Sequence, residues 1–207
     1  SAASDVYKRQ TITLTINNEI SRNLSAIEDS LEEFAVGYLF NENMVKCLED
    51  IEKIEINENH INVEIDDKLL KTKETVLCSD SSGGWRSKIK EIKPISSDFQ
   101  VEADELINRI EELKNNAQIW QATGGTHVAG IVYKNNFIVK EDVSRHVAVD
   151  KVIGYGILHN YDLSNSYVIY SGRMPADMVI KIVRAGIPVL ASNAAPAYSG
   201  CETAKKG

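Results

Sequence analysis

The chain has 207 residues, 43% of them hydrophobic and 26% charged, the balance of a globular protein with one large domain or one and a half. A net charge of -7 and a pI near 5.2 exclude a nucleic-acid surface that works by broad phosphate neutralisation, while leaving room for a small basic pocket. No apolar run nears the roughly 20 residues that span a bilayer, and cysteines at 47, 78 and 201 make neither a disulfide framework nor a zinc spacing, so a reduced, cytoplasmic setting without membrane or nucleic-acid partners is expected.

Residues 1–10, SAASDVYKRQ, do not lead into the strand that follows and read as a non-native leader. Residues 11–16 alternate apolar and polar as a half-buried strand does, and Asn17-Asn18 makes a tight turn into a second strand. Ser30 and Glu33 have capping-box spacing and open a helix whose apolar face is Leu31, Phe34, Ala35, Tyr38 and Leu39. Cys47 lies close to an apolar period, where a structural cysteine is expected to be buried. Residues 51–56 and 60–65 alternate again around Asn57-Glu58-Asn59, and the acidic residues crowded here read as a solvated face rather than a partner site.

The stretch ETVLCSDSSGGW, residues 74–85, breaks the regular pattern. Its small and polar residues cannot pack as a core element, so it reads as a loop that presents Cys78 on a flexible tether. Cys78 is either an incidental loop cysteine or a nucleophile and sulfur carrier, since a reactive thiolate needs access and an electropositive neighbourhood. After a polar linker at residues 93–100, a periodic helix over about 104–115 places Leu106, Ile107, Ile110 and Leu113 on one face. Thr123-Gly124-Gly125-Thr126-His127 follows. A glycine pair lets backbone approach a ligand and can form an anion nest, but such pairs also serve as plain turns, and His127 alone reads as a hydrogen-bonded structural histidine sooner than a catalytic one.

The richest stretch is KEDVSRHVAVDKVIG, residues 140–154. Asn135-Asn136 is expected to turn the strand of residues 128–133 into one at 137–139; Ser144 is a candidate N-cap, and Val149, Val152, Ile153 and Ile157 recur at helical spacing. This corner therefore pairs the C-terminal end of a strand with a helix N-terminus, where free N–H groups and the helix dipole favour an anion. The pattern recurs twice. Residues 167–170 form a strand run before Ser171-Gly172-Arg173 and a helix expected to begin at Pro175, and residues 187–190 form another before Ser192-Asn193. If these strands are parallel in one sheet, all three corners share its C-terminal edge. Arg145 and Arg173 are then placed for bidentate phosphate recognition rather than simple ion pairs. Glu141 and Asp142 orient those arginines, bind a ribose or guanine edge, or form local salt bridges; His146 stays ambiguous. Gly154 and Gly156 each cost roughly 1 kcal/mol within a helix, so close packing against the sheet or a second subunit is expected there.

In order and spacing, residues 123–127, 141–146 with 150–154, 171–173 and 185–190, together with Leu31-Glu32-Glu33-Phe34-Ala35-Val36-Gly37-Tyr38-Leu39 and Glu42, resemble the FdhD family over nearly the whole chain after residue 10. The resemblance implies a sulfurtransferase that takes persulfide sulfur from a cysteine desulfurase. It delivers that sulfur to molybdenum bis(pterin guanine dinucleotide), its bound substrate, so that formate dehydrogenase becomes active. It implies a homodimer, and an α/β chain whose larger part is a cytidine-deaminase-like mixed sheet with helices on both faces, beside a smaller amino-terminal α+β subdomain. The expected division is 11–92, ending in the Cys78 loop, and 93–207, with the family's carboxy-terminal strand lying beyond Gly207. The family's loop cysteine falls on Cys78; its cofactor-binding residues fall on Thr123, Gly124, Gly125, His127, Glu141, Asp142, Arg145, His146, Ser171, Gly172 and Arg173.

Several positions depart from the family pattern. Asp80-Ser81 follow Cys78 where many members carry a second cysteine, Ser144 and Val147 replace Gly and Asn, and Pro175 and Asp177 stand where Ser and Glu are usual. The zinc signature of true deaminases, H-x-E with P-C-x-x-C, is absent from the sequence, so deaminase chemistry and a protein-bound metal are not expected. Beside the sulfur carrier stands a non-catalytic chaperone that binds the same cofactor through the three corners.

Overall fold

The computed structural model describes residues 10–70, 75–77, 85–87, 92–194 and 198–207. Alternation in the first strands builds a four-stranded sheet from β1 (Gln10–Ile16), β2 (Ile20–Ala26), β3 (Ile51–Asn57) and β4 (His60–Ile65), in the order β2-β1-β4-β3. Asn17 and Asn18 turn β1 into β2 with φ of 50° and 55°, the left-handed values that asparagine tolerates best after glycine. Helix α1 (Leu31–Asn41) lies on this sheet, its Leu31, Phe34, Ala35, Tyr38 and Leu39 packed against Ile12, Leu14, Ile16, Ile61 and Val63.

A short helix α2 (Asp67–Leu70) leads to β5 (Thr75–Leu77) and β6 (Trp85–Ser87), an antiparallel pair with Leu77 opposite Trp85. Cys78 and the rest of 78–84 lie outside the described residues. The remainder is α3 (Ala103–Asn115), α4 (Gln118–Thr123), β7 (His127–Tyr133), β8 (Asn136–Asp142), α5 (Arg145–Leu158), β9 (Ser166–Tyr170), α6 (Ala176–Arg184), β10 (Val189–Ser192) and α7 (Tyr198–Ala204). The second sheet has the order β10-β9-β7-β8.

This sheet is mixed. Strand β7 runs antiparallel to both β8 and β9, while β10 is parallel to β9. It follows that β8, β9 and β10 all end at the edge where β7 begins. The three corners share that edge as expected, with one antiparallel strand interposed.

Side-chain alternation divides the core. Ala129, Ile131, Val168 and Tyr170 face α5 and α6, meeting Val149, Val152, Ile153, Met178 and Ile182, whereas Val128, Val132, Tyr167 and Ile169 face Leu113 and Ala117. Helix α5 also packs against α1 on its other side, so it is buried nearly all round from His146 to Gly154, as a helix sandwiched between layers must be. No helix among the described residues is long and apolar enough to cross a membrane.

Several local expectations change. The β7–β8 turn is Lys134-Asn135, with φ of 54° at Lys134, because Tyr133 pairs directly with Asn136. The Ser30–Glu33 capping box does not form: Ser30 is left-handed, its hydroxyl donates to Asp29, and Glu33 instead lies 3.7 Å from Lys140 Nζ. Cys47 is exposed at the start of a 3-10 turn rather than buried. Ile107, placed on the apolar face of α3, points to solvent, since only the Leu106, Ile110 and Leu113 side of that helix meets the sheet. Pro175 is the N-cap of α6 rather than its first helical residue, and the last strand starts at Val189 rather than at residue 187.

Candidate functional site

Four chain segments converge on the shared edge, and strand pairing fixes each of them. Val128 N donates to Ser171 Oγ at 2.9 Å and Ser171 N donates to Val128 O at 2.9 Å, so Ser171 continues the β7–β9 ladder past the end of β9. Ser192 Oγ donates to Gly172 O at 2.8 Å, tying β10 to the same corner. Gly172 passes so close to Tyr170 that a Cβ at 172 would strike its hydroxyl. Any side chain at 172 would have to displace the buried Tyr170 ring.

Tyr170 is wholly buried on the α5 and α6 side of the sheet, its ring stacked on His127 with centroids 6.3 Å apart and planes 30° apart. Burial pushes the phenol up to about 12, with Arg145 and Arg173 pulling it down and Asp177 pushing it up. The hydroxyl is therefore protonated at neutral pH. It has no hydrogen-bond partner among the described residues. Arg145 is half-buried and Arg173 exposed, and neither makes a hydrogen bond or ion pair to another described residue. His127 is half-buried, and its imidazole is held below the ordinary value by burial and then by the Arg145 guanidinium, with Asp142 acting the other way.

The other expected site residues are placed differently. Glu141 caps α4: Ile119 N donates to Oε1 at 2.9 Å, and Trp120 N and Thr126 Oγ1 donate to Oε2 at 2.7 and 2.9 Å. Asp142 is fully buried 2.9 Å from Lys151 Nζ, and its carboxylate also accepts from Ile27 N and Ser144 N, each at 2.9 Å. Burial raises the Asp142 carboxyl, with Lys151 the largest opposing influence. His146 is buried with Nε2 3.1 Å from Asp177 Oδ2, joining the first turns of α5 and α6. Thr123 Oγ1 donates to Ile119 O and accepts from Gly125 N, while Gly124, at φ 64°, donates its N–H to Trp120 O. Both glycine N–H groups are thus engaged within the protein in this conformation. Two open cavities, of about 340 and 440 Å³, are lined by neither arginine nor Tyr170.

The structure adds residues that the sequence reading passed over. Lys181 Nζ lies 2.7 Å from Asp150 Oδ1, both buried, and Asn41 Nδ2 donates to the same oxygen at 2.7 Å, joining α6, α5 and α1 beneath the corner. A lysine among apolar neighbours, as in Val149-Asp150-Lys151-Val152-Ile153 or Ile180-Lys181-Ile182, is the signal that could have revealed both cations. Tyr170 had no signal beyond its place at the end of a strand.

Residues 8–207 match the profile of the FdhD/NarQ family. The chain belongs to that family. It is 46% identical over 196 residues to the sulfur carrier protein FdhD of Methanothermobacter thermautotrophicus, covering 94% of this chain and 79% of that protein. Protein FdhD of Methanocaldococcus jannaschii is 33% identical over 203 residues, covering 97% of this chain and 80% of its own length. Among solved structures, a crystal structure from Desulfotalea psychrophila, described as a formate dehydrogenase accessory protein, superposes with a TM-score of 0.75 at 26% identity, covering 95% of this chain and 77% of that one. In this FdhD/NarQ chain, the motifs at 123–127, 141–146 and 171–173 all lie at the one sheet edge where β7 begins and β8, β9 and β10 end.

Proposed function

We propose that this chain is a sulfur carrier that accepts persulfide sulfur from a cysteine desulfurase and passes it to molybdenum bis(pterin guanine dinucleotide), its bound substrate, in the maturation of formate dehydrogenase. Family membership and the relatives named as sulfur carriers support the reading. The observation that carries it to this site is the pair Arg145 and Arg173, without partners among the described residues, at the edge where three strands end. Two guanidiniums at one edge suit the phosphates of a dinucleotide, which each can meet with paired N–H donors.

The acceptor is Cys78. Its thiolate attacks the outer sulfur of the desulfurase persulfide, a new S–S bond forms at Cys78, and the donor S–S bond breaks to leave the desulfurase thiolate. We read the second sheet with its flanking helices as cytidine-deaminase-like, and the working protein as a homodimer. His127, Ser171 and Gly172 shape the cofactor edge in this reading, while Glu141, Asp142 and His146 hold its frame.

Mass spectrometry after incubation with a cysteine desulfurase and cysteine tests this reading. The expected result is one added sulfur on the peptide containing Cys78, with Cys47 and Cys201 unlabelled; both of these controls are exposed, so selectivity would not reflect access alone. Equal labelling of all three, or none, overturns it. A second reading, a cofactor chaperone without sulfur transfer, is favoured by the same two arginines, and in that case Cys78→Ala would still support dehydrogenase maturation while Arg173→Ala would not.

A further inference from the structure

Buried hydroxyls in folded proteins almost always have a partner, and one left without carries a desolvation cost. The Tyr170 hydroxyl is buried and has none among the described residues. Its surroundings define what would satisfy it. The phenol keeps its proton, so it offers a donor to an incoming acceptor. Arg145 and Arg173 both act on it electrostatically and are themselves unpaired among the described residues, so the acceptor it lacks would sit in a positive field. Asp177 is the opposing charge, and its carboxylate is turned to His146 Nε2 at 3.1 Å.

The surrounding backbone has the same bias. Helices α5 and α6, of 14 and 9 residues, both begin at this edge, and their N-termini favour negative charge. At the β9–α6 corner it is the backbone of Gly172, not a side chain, that lies against the hydroxyl, since a Cβ there would strike it. A neutral acceptor would satisfy the hydroxyl and leave both arginines idle. An ionised phosphate oxygen serves all three.

We propose that the Tyr170 hydroxyl is a phosphate-binding donor which, with Arg145 and Arg173, completes a site for the diphosphate of a nucleotide ligand. The proposal rests on the reading of this edge as the cofactor-binding edge and adds to it a buried donor that approaches the ligand from the sheet side. The arginines attract the diphosphate; the tyrosine fixes how deep it sits.

The test is calorimetric titration of guanosine diphosphate into the full chain and its Tyr170→Phe variant, with thermal melting of both and guanosine as a second probe. The expected result is diphosphate binding weakened about ten- to a hundredfold, the range for one hydrogen bond to a charged group. Phe should melt no lower than Tyr, because the hydroxyl has no internal partner to lose, and guanosine should not distinguish the two proteins. Equal diphosphate affinity overturns the proposal while leaving the cofactor edge standing. A markedly lower melting point of Tyr170→Phe assigns the hydroxyl to the fold and overturns it too, as does an equal loss for guanosine and its diphosphate. A wild-type chain that does not bind the diphosphate overturns the cofactor edge itself, and this inference with it.

Discussion

Gly37 and Gly154 meet backbone to backbone where α1 crosses α5. A Cβ on Gly37 would strike the carbonyl of Asp150, and a Cβ on Gly154 would strike the carbonyl of Glu33, so each glycine lies against the residue four places before the other. This reciprocal contact lets the helix that covers the first sheet lie directly on the helix that opens the candidate site.

Alanine at either position tests which force wins. Helix propensity alone favours alanine by about 1 kcal/mol, but overpacking against a backbone carbonyl, which cannot rotate away, costs about 1–3 kcal/mol or more. Gly37→Ala and Gly154→Ala should each lower stability in urea unfolding. The double variant should cost less than the sum, because one separation of the helices accommodates both methyls. A stabilised single variant would mean that the helices cross with room for a methyl group.

Lys151→Met should destabilise the fold by about 3–5 kcal/mol at neutral pH, the usual cost of leaving a buried charge unpaired, since Asp142 and Lys151 are both wholly buried. The pH dependence has a definite sign. Burial already holds the Asp142 carboxyl above its ordinary 3.8, and losing Lys151 raises it further. The native state then binds that proton more tightly than the unfolded chain, so the deficit should narrow as pH falls from neutral toward about 4. Paired unfolding curves at several pH values would show the narrowing or refute it.

The His127 imidazole should titrate below the ordinary 6.5 in an NMR titration, and Arg145→Gln should move it upward without restoring it fully, because burial is the larger cause. Its linkage to stability follows. The unfolded chain takes the proton more readily, so the contribution of neutral His127 is full above about 6.5 and is lost as pH falls below that value. An unchanged titration in Arg145→Gln would separate the two residues.

Arg173 is exposed and unpaired among the described residues, so Arg173→Gln should change stability by no more than about 0.5 kcal/mol. Diphosphate binding should weaken, and the wild type's sensitivity to added salt should weaken with it. A large drop in melting temperature would instead assign this arginine to the fold.

Much of this architecture was legible because it is periodic or local. The Asn17-Asn18 turn, the apolar face of α1 and the meeting of three strand-to-helix corners at one edge follow from alternation, helical spacing and the consistent hand of connections. What escaped depends on partners distant in sequence. Ser30 has a capping sequence, yet Lys140 reaches its hydroxyl at 2.6 Å from 110 residues away and the left-handed backbone turns it from the helix. For Glu141 and Asp142 the sequence left an arginine partner, a ligand contact and a local salt bridge all open; their partners, the first N–H groups of α4 and a buried lysine, appear only when the sheet is assembled. Tyr170 was indistinguishable from any aromatic strand residue, since an unpaired hydroxyl is a property of packing.

The tie from Asp142 and Lys151 to Ile27 sets an order of events. Ile27 N donates to Asp142 across 115 residues and Lys151 Nζ donates to Ile27 O across 124, at 2.9 and 3.2 Å. Contacts of such long range are slow to form, because much chain must be ordered before they return any stabilisation. Each sheet has its own apolar cluster, while the frame beneath the two arginines needs both halves of the chain in place. In refolding experiments the proposed nucleotide binding should therefore return with the slowest phase, after most secondary structure has already recovered.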